Sequence, residues 1–140
     1  MRLLAALALL SLAWCASAAP LHATNVSAAY ALLERVLPGS SKSFALSLSS
    51  GCAGVAAGKP CFTLSDGPGG VVSVDATSVS ELTAGLGVYL REVAGLTLGW
   101  PRGGGSNVYT PAAWPPVGSA PIVRARIAKY AYMQNVCTHR

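Results

Sequence analysis

The first third of the chain changes from a helical to a strand-like spacing of apolar residues. Over residues 27–37, apolar side chains recur at helical spacing until Pro38 and Gly39 end the pattern, which predicts an amphipathic helix. Over residues 44–49, large apolar residues alternate with the small residues alanine and serine, with a period of two. This alternation predicts a strand with one buried face.

Two further short apolar runs follow, at residues 61–64 and 71–74. A glycine- and proline-rich turn at residues 66–70 separates them, and a loop at residues 51–60 precedes them. Strands joined by such turns are typical of antiparallel sheets. We therefore predict that the three strands form a meander.

A second helix is predicted after residue 77. Ser78 and Glu81 have the spacing of a capping box. One apolar stripe follows and ends near Gly95; it comprises Leu82, Leu86, Tyr89, Leu90 and Val93. Gly85 and Gly87 each cost a helix about 1 kcal/mol relative to alanine, so we expect close packing against a sheet.

Residues 96–100 predict a fourth strand, reached by a crossover through the second helix. The expected fold is α+β, a small mixed sheet of about four strands with two helices on one face. Residues 106–121, rich in Gly, Pro and Ala, are predicted to be an exposed linker. Residues 19–105 would then form the domain, and residues 122–140 would supply a lone C-terminal strand.

The N-terminus has the features of a secretory signal. An apolar run of roughly a dozen residues, shorter than the roughly 20 that a membrane span needs, leads to the small residues 16–18. We predict cleavage after Ala18, which removes residues 1–18. The expected product has no membrane segment and is secreted or lysosomal.

The basic residues give a net charge of +5 but are scattered, and Arg124, Arg126 and Lys129 are the one cluster. A nucleic-acid-binding surface needs a denser basic face. Together with the secretory signal, this argues against a nucleic-acid partner.

Three cysteines remain after the signal. Cys52 and Cys61 flank a glycine-containing loop, so we predict a local disulfide between them. Cys137 is then unpaired, as a buried thiol, as part of a functional pocket or as a thiol available to a partner. No metal site is predicted, because there is no CxxC spacing and the two histidines lie at opposite ends of the chain.

Asn25, Val26 and Ser27 form an N-glycosylation sequon at the start of the first helix. In an exported chain, Asn25 is therefore a candidate glycan site.

The acidic residues do not predict a catalytic site. Glycoside hydrolysis needs two carboxyl groups across the scissile bond, and the five acids are placed in turns, in a capping position or beside arginines on helices; they are Glu34, Asp66, Asp75, Glu81 and Glu92. No nucleophile elbow or phosphate-binding loop is present either. We therefore predict no catalytic residue and no cofactor in this chain.

The C-terminal segment resembles a known family. Residues 130–138 are similar to the stretch, approximately Y-x-Y-Y-x-N-x-C-T, by which the alpha-N-acetylglucosaminidases of glycoside hydrolase family 89 enter their catalytic barrel. The sequence matches at Tyr130, Tyr132, Asn135, Cys137 and Thr138 and departs at Met133. Residues 85–90 and Trp100 resemble the family's helix and the tryptophan-containing strand after it.

The resemblance implies a non-catalytic N-terminal domain that packs against a catalytic barrel absent from this chain. It implies that residues 122–140 are the first segment of that barrel, and that Asn135 and Cys137 line the pocket for terminal alpha-linked N-acetylglucosamine. The implied substrates are glycans such as heparan sulfate. The alternative is a stand-alone secreted carbohydrate-binding or interaction module.

Overall fold

The computed structural model describes residues 25–99, 105–128 and 130. Two helices and a mixed four-stranded sheet confirm the predicted α+β class. In chain order they are α1 (Ser27–Val36), β1 (Phe44–Leu48), β2 (Cys61–Asp66), β3 (Val72–Ala76), α2 (Val79–Val88) and β4 (Ile122–Ala125). A π-helical turn at Tyr89–Val93 extends α2. The predicted signal at residues 1–18 lies outside the described residues.

Both helices contribute to one hydrophobic core on one face of the sheet. Alternate residues of β3, namely Val72, Val74 and Ala76, are buried there, as the period-two pattern requires. α1 contributes Ala29 and Leu33 to the same core. The two helices therefore cover a single apolar sheet face, as predicted.

The strand order is β1-β3-β2-β4, so the predicted meander of the first three strands is wrong. β2 and β3 form the expected antiparallel hairpin, but β3 lies between β2 and β1 and runs parallel to β1. The loop from Ser49 to Pro60 allows this arrangement, because it is long enough to carry the chain past the position of β3.

The fourth strand comes from a different part of the chain than predicted. Residues 96–99, predicted as a strand, form no strand. Thr97 instead makes an isolated β-bridge with Asn107. Trp100, the last residue of the predicted strand, lies outside the described residues. Within the described residues after 105, the strand is β4, and it pairs antiparallel with β2. Residues 122–125 therefore belong to the small sheet, and the prediction that they have no partner there is wrong. The crossover through α2 thus joins the parallel strands β3 and β4, with β2 between them.

The segment at residues 106–121, predicted to be an exposed linker, is largely exposed and contacts the domain through a few groups. The Trp114 ring lies 4.9 Å from the Phe44 ring, and the Tyr89 hydroxyl donates to the Pro115 carbonyl at 2.6 Å. Val117 also contacts the core. The segment has no periodicity because each contact is made by a single side chain or backbone group.

Candidate functional site

Glycoside hydrolysis uses carboxyl groups, and all five acidic side chains of this chain lie within the described residues. Glu34 accepts hydrogen bonds from the amides of Gly39 (2.7 Å) and Ser41 (2.8 Å), just after α1 ends. Hydrogen bonds from Ser41 and Gly39 lower the pKa of Glu34 below its usual value. This carboxylate therefore fixes the turn that leads from α1 into β1.

The two aspartates also hold backbone or side-chain donors. Asp75 on β3 accepts from the hydroxyls of Ser47 (2.7 Å) and Ser49 (2.5 Å), which ties β3 to β1. Asp66, at the end of β2, accepts from the amides of Val117 (2.7 Å) and Gly118 (3.1 Å). Asp66 thereby anchors the segment that the sequence predicted as a linker.

Glu81 forms an ion pair with Arg126, just beyond β4. The Ser78 hydroxyl accepts from the Glu81 amide at 3.3 Å, so the serine half of the predicted capping box is present. The carboxylate is buried and binds Arg126. Isolated buried charges are costly, so the pair couples the start of α2 to the end of β4.

Glu92, in the π-helical turn, binds β4 in the same way. Both oxygens accept from the Arg124 guanidinium, at 2.9 and 2.6 Å, and Arg91 lies 3.0 Å away. Hydrogen bonds from Arg124 and then Arg91 lower the pKa of Glu92. Two of the three clustered basic residues are therefore paired with glutamates, while Lys129 lies outside the described residues.

The phenol of Tyr89 has a raised pKa. Burial and then the negative charge of Asp66 raise it to about 12. Its ring is 5.6 Å from that of Phe44 and 6.1 Å from that of Trp114. A tyrosine that stays neutral and donates to the Pro115 carbonyl holds the 114–117 segment in place and supplies no proton at neutral pH.

The carboxylates are thus each engaged in stabilising the fold, on different elements. Within the part of the chain that the structure describes, no group of three His, Cys, Asp or Glu side chains is placed to hold a metal ion. No helix in that part has the length and apolar character to span a membrane.

A shallow groove of about 550 Å³ lies beside the end of β4. Residues 57–60 form one wall and Arg126, Ile127 and Ala128 form the other. The Arg126 amide donates to the Pro60 carbonyl at 2.8 Å, which sets the spacing of the walls. Its lining carries no carboxylate, so it offers no acid or base of the kind that glycoside hydrolysis uses.

The predicted disulfide between Cys52 and Cys61 is present, with Cα atoms 6.1 Å apart, and it closes the loop next to this groove. Asn25 is exposed at the start of α1, and its side-chain oxygen accepts from the Ser27 amide at 2.8 Å. Asn135 and Cys137, the residues predicted to line a sugar pocket, lie outside the described residues.

Sequence reasoning missed the ion pairs of Arg124 and Arg126. Two arginines at a spacing of two, on a predicted strand, indicate one shared face. Glu81 and Glu92 are likewise the acids of a single predicted helix. Matching these arginines to these glutamates requires knowing that β4 joins the same sheet as β2, which the local sequence does not indicate.

A protein-family model matches most of this chain. Residues 27–116 match the family model of the alpha-N-acetylglucosaminidase (NAGLU) N-terminal domain. Among curated protein sequences, none matches this chain.

Similar solved structures include family 89 glycoside hydrolases from Clostridium perfringens. The complex with PUGNAc is 20% identical, with a TM-score of 0.67, over 77% of this chain and 12% of the enzyme. The complex with 2-acetamido-1,2-dideoxynojirmycin is 20% identical, with a TM-score of 0.65, over 75% of this chain. The complex with its substrate GlcNAc-alpha-1,4-galactose is 21% identical, with a TM-score of 0.64, over 75% of this chain.

This chain thus spans about a tenth of the length of those enzymes, and the structural likeness is one of fold. The family model matches well over half of the chain, from the start of α1 to the segment that packs on Tyr89. The chain belongs to the alpha-N-acetylglucosaminidase (NAGLU) N-terminal domain family.

Proposed function

We propose that this chain is the non-catalytic N-terminal domain of a glycoside hydrolase that removes terminal alpha-linked N-acetylglucosamine from glycans such as heparan sulfate. The observation that carries the proposal is the use of the carboxylates. All five bind donors of the fold itself, so none is left to act as the acid or nucleophile of glycoside hydrolysis. The family match supports a catalytic part elsewhere in the parent enzyme.

The test compares two proteins under identical conditions. The 140-residue chain is expected to show no turnover of an aryl alpha-N-acetylglucosaminide, whereas the full-length enzyme is expected to be active. Turnover by the short chain that disappears on replacing one of its five acids would contradict the proposal. A natural stop codon after Arg140, with a stable secreted product that binds glycans, would favour the stand-alone module.

Asn135 and Cys137 are proposed to line the sugar pocket in the full-length enzyme. An asparagine side chain has both donors and an acceptor for sugar hydroxyls. In the full-length enzyme, Asn135→Ala is expected to lower kcat/KM at least tenfold, the loss expected when about 1.4 kcal/mol of binding is removed. Asn107→Ala, at an exposed asparagine of the described domain, is the matched control and is expected to leave kcat/KM unchanged. Equal effects of the two variants would remove Asn135 from the pocket.

Secretion or delivery to lysosomes is proposed from the predicted signal at residues 1–18. A disulfide and an exposed sequon support an oxidising route with glycosylation at Asn25. Expression in a secreting cell is expected to give a product that begins at Ala19 and loses mass on glycan removal. Asn25→Gln is expected to abolish that mass change. A retained signal or a product confined to the cytosol would contradict the proposed route.

A further inference from the structure

β1 is an edge strand of the sheet. It comes first in the order β1-β3-β2-β4, so among the described residues one of its edges has no neighbouring strand. Just past β1, the Ser49 amide donates to the Ala76 carbonyl on β3 at 2.9 Å. Because backbone groups alternate in direction along a strand, those of Phe44, Leu46 and Leu48 face outward, away from β3.

The Tyr30 hydroxyl occupies this outward edge. It donates to the Phe44 carbonyl at 3.2 Å and accepts from the Leu46 amide at 3.0 Å. A phenol can make both bonds at once, since its oxygen carries one hydrogen and also accepts. A parallel neighbour would bond the same two groups through the amide and carbonyl of a single residue, and an antiparallel neighbour would use both groups as well. The hydroxyl therefore takes the place of a neighbouring strand.

α1 and the turn before β1 hold this arrangement. Tyr30 follows the buried Ala29 on α1 and is half-buried against the core. The Phe44 amide is also engaged, because it donates to the Ser41 carbonyl of the preceding turn. The first three outward-facing polar groups of β1 are thus all bonded within the chain.

The sequence of β1 offers no protection of its own against strand addition. Charged residues and proline are common on edge strands because they discourage pairing with other chains, and Phe44–Leu48 contains neither. β4, the edge strand on the other side, carries Arg124. A short apolar segment without charge or proline readily pairs with copies of itself when its edge is exposed. The closure of this edge therefore depends on the bonds from Tyr30.

We propose that the Tyr30 hydroxyl is an inhibitory contact that prevents β1 from pairing with β1 of a second copy of this chain. A twofold axis at the edge relates two copies of β1 as antiparallel neighbours. Pairing centred on Leu46 requires its amide for the carbonyl of the second copy, and Tyr30 already holds that amide. The chain thus keeps an uncharged edge strand closed by means of a side chain from α1.

Tyr30→Phe tests the inference, because it keeps the ring and removes both hydrogen bonds. At low protein concentration, the Leu46 amide is expected to exchange roughly fivefold to tenfold faster than in the wild type, as the loss of one hydrogen bond predicts. At higher concentration, sedimentation velocity is expected to show association that the wild type lacks, and protection of Leu46 is expected to return. Tyr109→Phe, at an exposed tyrosine, is the matched control and is expected to behave as the wild type.

A second variant tests whether the association occurs at β1. Ala45 is exposed on β1, and a lysine on an edge strand discourages pairing. Adding Ala45→Lys to Tyr30→Phe is expected to abolish the association and to leave the exchange of Leu46 fast.

Three results would overturn the inference. They are a wild-type Leu46 amide that exchanges at the unprotected rate, a Tyr30→Phe variant that stays monomeric at every concentration, and association that persists after Ala45→Lys is added. None of these measurements uses glycosidase activity, so the inference and the proposed function stand or fall separately.

Discussion

Two glycines in α2 differ in what surrounds them, although the sequence gives them the same expected role. A Cβ atom at Gly85 would lie 3.0 Å from Val74 Cγ1 and 3.1 Å from Phe62 Cδ2. At Gly87, nothing outside the helix lies within 4 Å of the same position. The close packing expected of both glycines is therefore confirmed at Gly85, and at Gly87 it is wrong.

Alanine substitution at each glycine should change the free energy of unfolding by different amounts. Both variants gain about 1 kcal/mol of helix propensity, because both positions are inside α2. Gly85→Ala also meets the overpacking cost of a filled core, typically about 1–3 kcal/mol. Gly87→Ala should therefore exceed the wild type in stability, while Gly85→Ala should lie at or below it. The free energies of unfolding should differ by the overpacking cost alone.

Thermal unfolding followed by far-ultraviolet circular dichroism checks this prediction. For a domain of this size, about 1 kcal/mol shifts Tm by roughly 4–8 °C, so Gly87→Ala should melt at least about 4 °C above Gly85→Ala. Each variant is the control for the other, since they share the helix and the chemical change. Equal stabilisation by both would refute the close approach of α2 to β2 and β3 at Gly85.

Three further predictions concern ionisation and the disulfide. Because the folded pKa of Glu92 is lowered, its stabilising contribution is present above the ordinary value of 4.5 and is lost as the pH falls below it. Glu92→Gln should therefore flatten the acid limb of a curve of Tm against pH. An acid limb unchanged by the substitution would contradict a stabilising role for the Glu92 carboxylate. The raised pKa of Tyr89 should appear as one phenol that titrates near pH 12 in ultraviolet absorbance. Tyr89→Phe should remove that titration phase and lower the free energy of unfolding by about 1 kcal/mol, because the hydrogen bond to the Pro115 carbonyl is lost. A titration phase that persists in the variant would refute the assignment to Tyr89. Reduction of the Cys52–Cys61 disulfide should lower the free energy of unfolding, measured by chemical denaturation, by about 2 kcal/mol. Cys52→Ala is the control, and its stability should not respond to reductant. A wild-type stability that is the same with and without reductant would contradict the predicted contribution of the disulfide.

Local patterns predicted the elements that depend on local physics. The helical spacing, the Ser78 cap and the period-two runs placed α1, α2 and the first three strands, because these signals arise from neighbouring residues. The disulfide followed from a short loop between two cysteines. None of these inferences required knowledge of the other strands.

Strand order and the path of the segment before β4 depend on contacts far apart in the sequence. Nothing local distinguishes a meander from an order in which β3 inserts beside β1, since both satisfy the same alternation. Trp114 and the amide of Val117 find their partners 70 and 51 residues away, at Phe44 and Asp66. The uses of the carboxylates escaped prediction for the same reason, because their donors come from other elements.

The position of β4 has a consequence for how the domain is made during synthesis. β2 and β3 are a hairpin with contacts close in sequence, whereas β4 reaches β2 only after more than 50 residues have intervened. Contacts of long sequence separation form late, so the nascent domain leaves one edge of β2 open until residue 126 has emerged. A truncation that ends before Ile122 would leave that edge open permanently and remove both arginine partners of α2 and the turn after it. Such a product would expose the strand that holds one half of the disulfide and would be prone to association during folding.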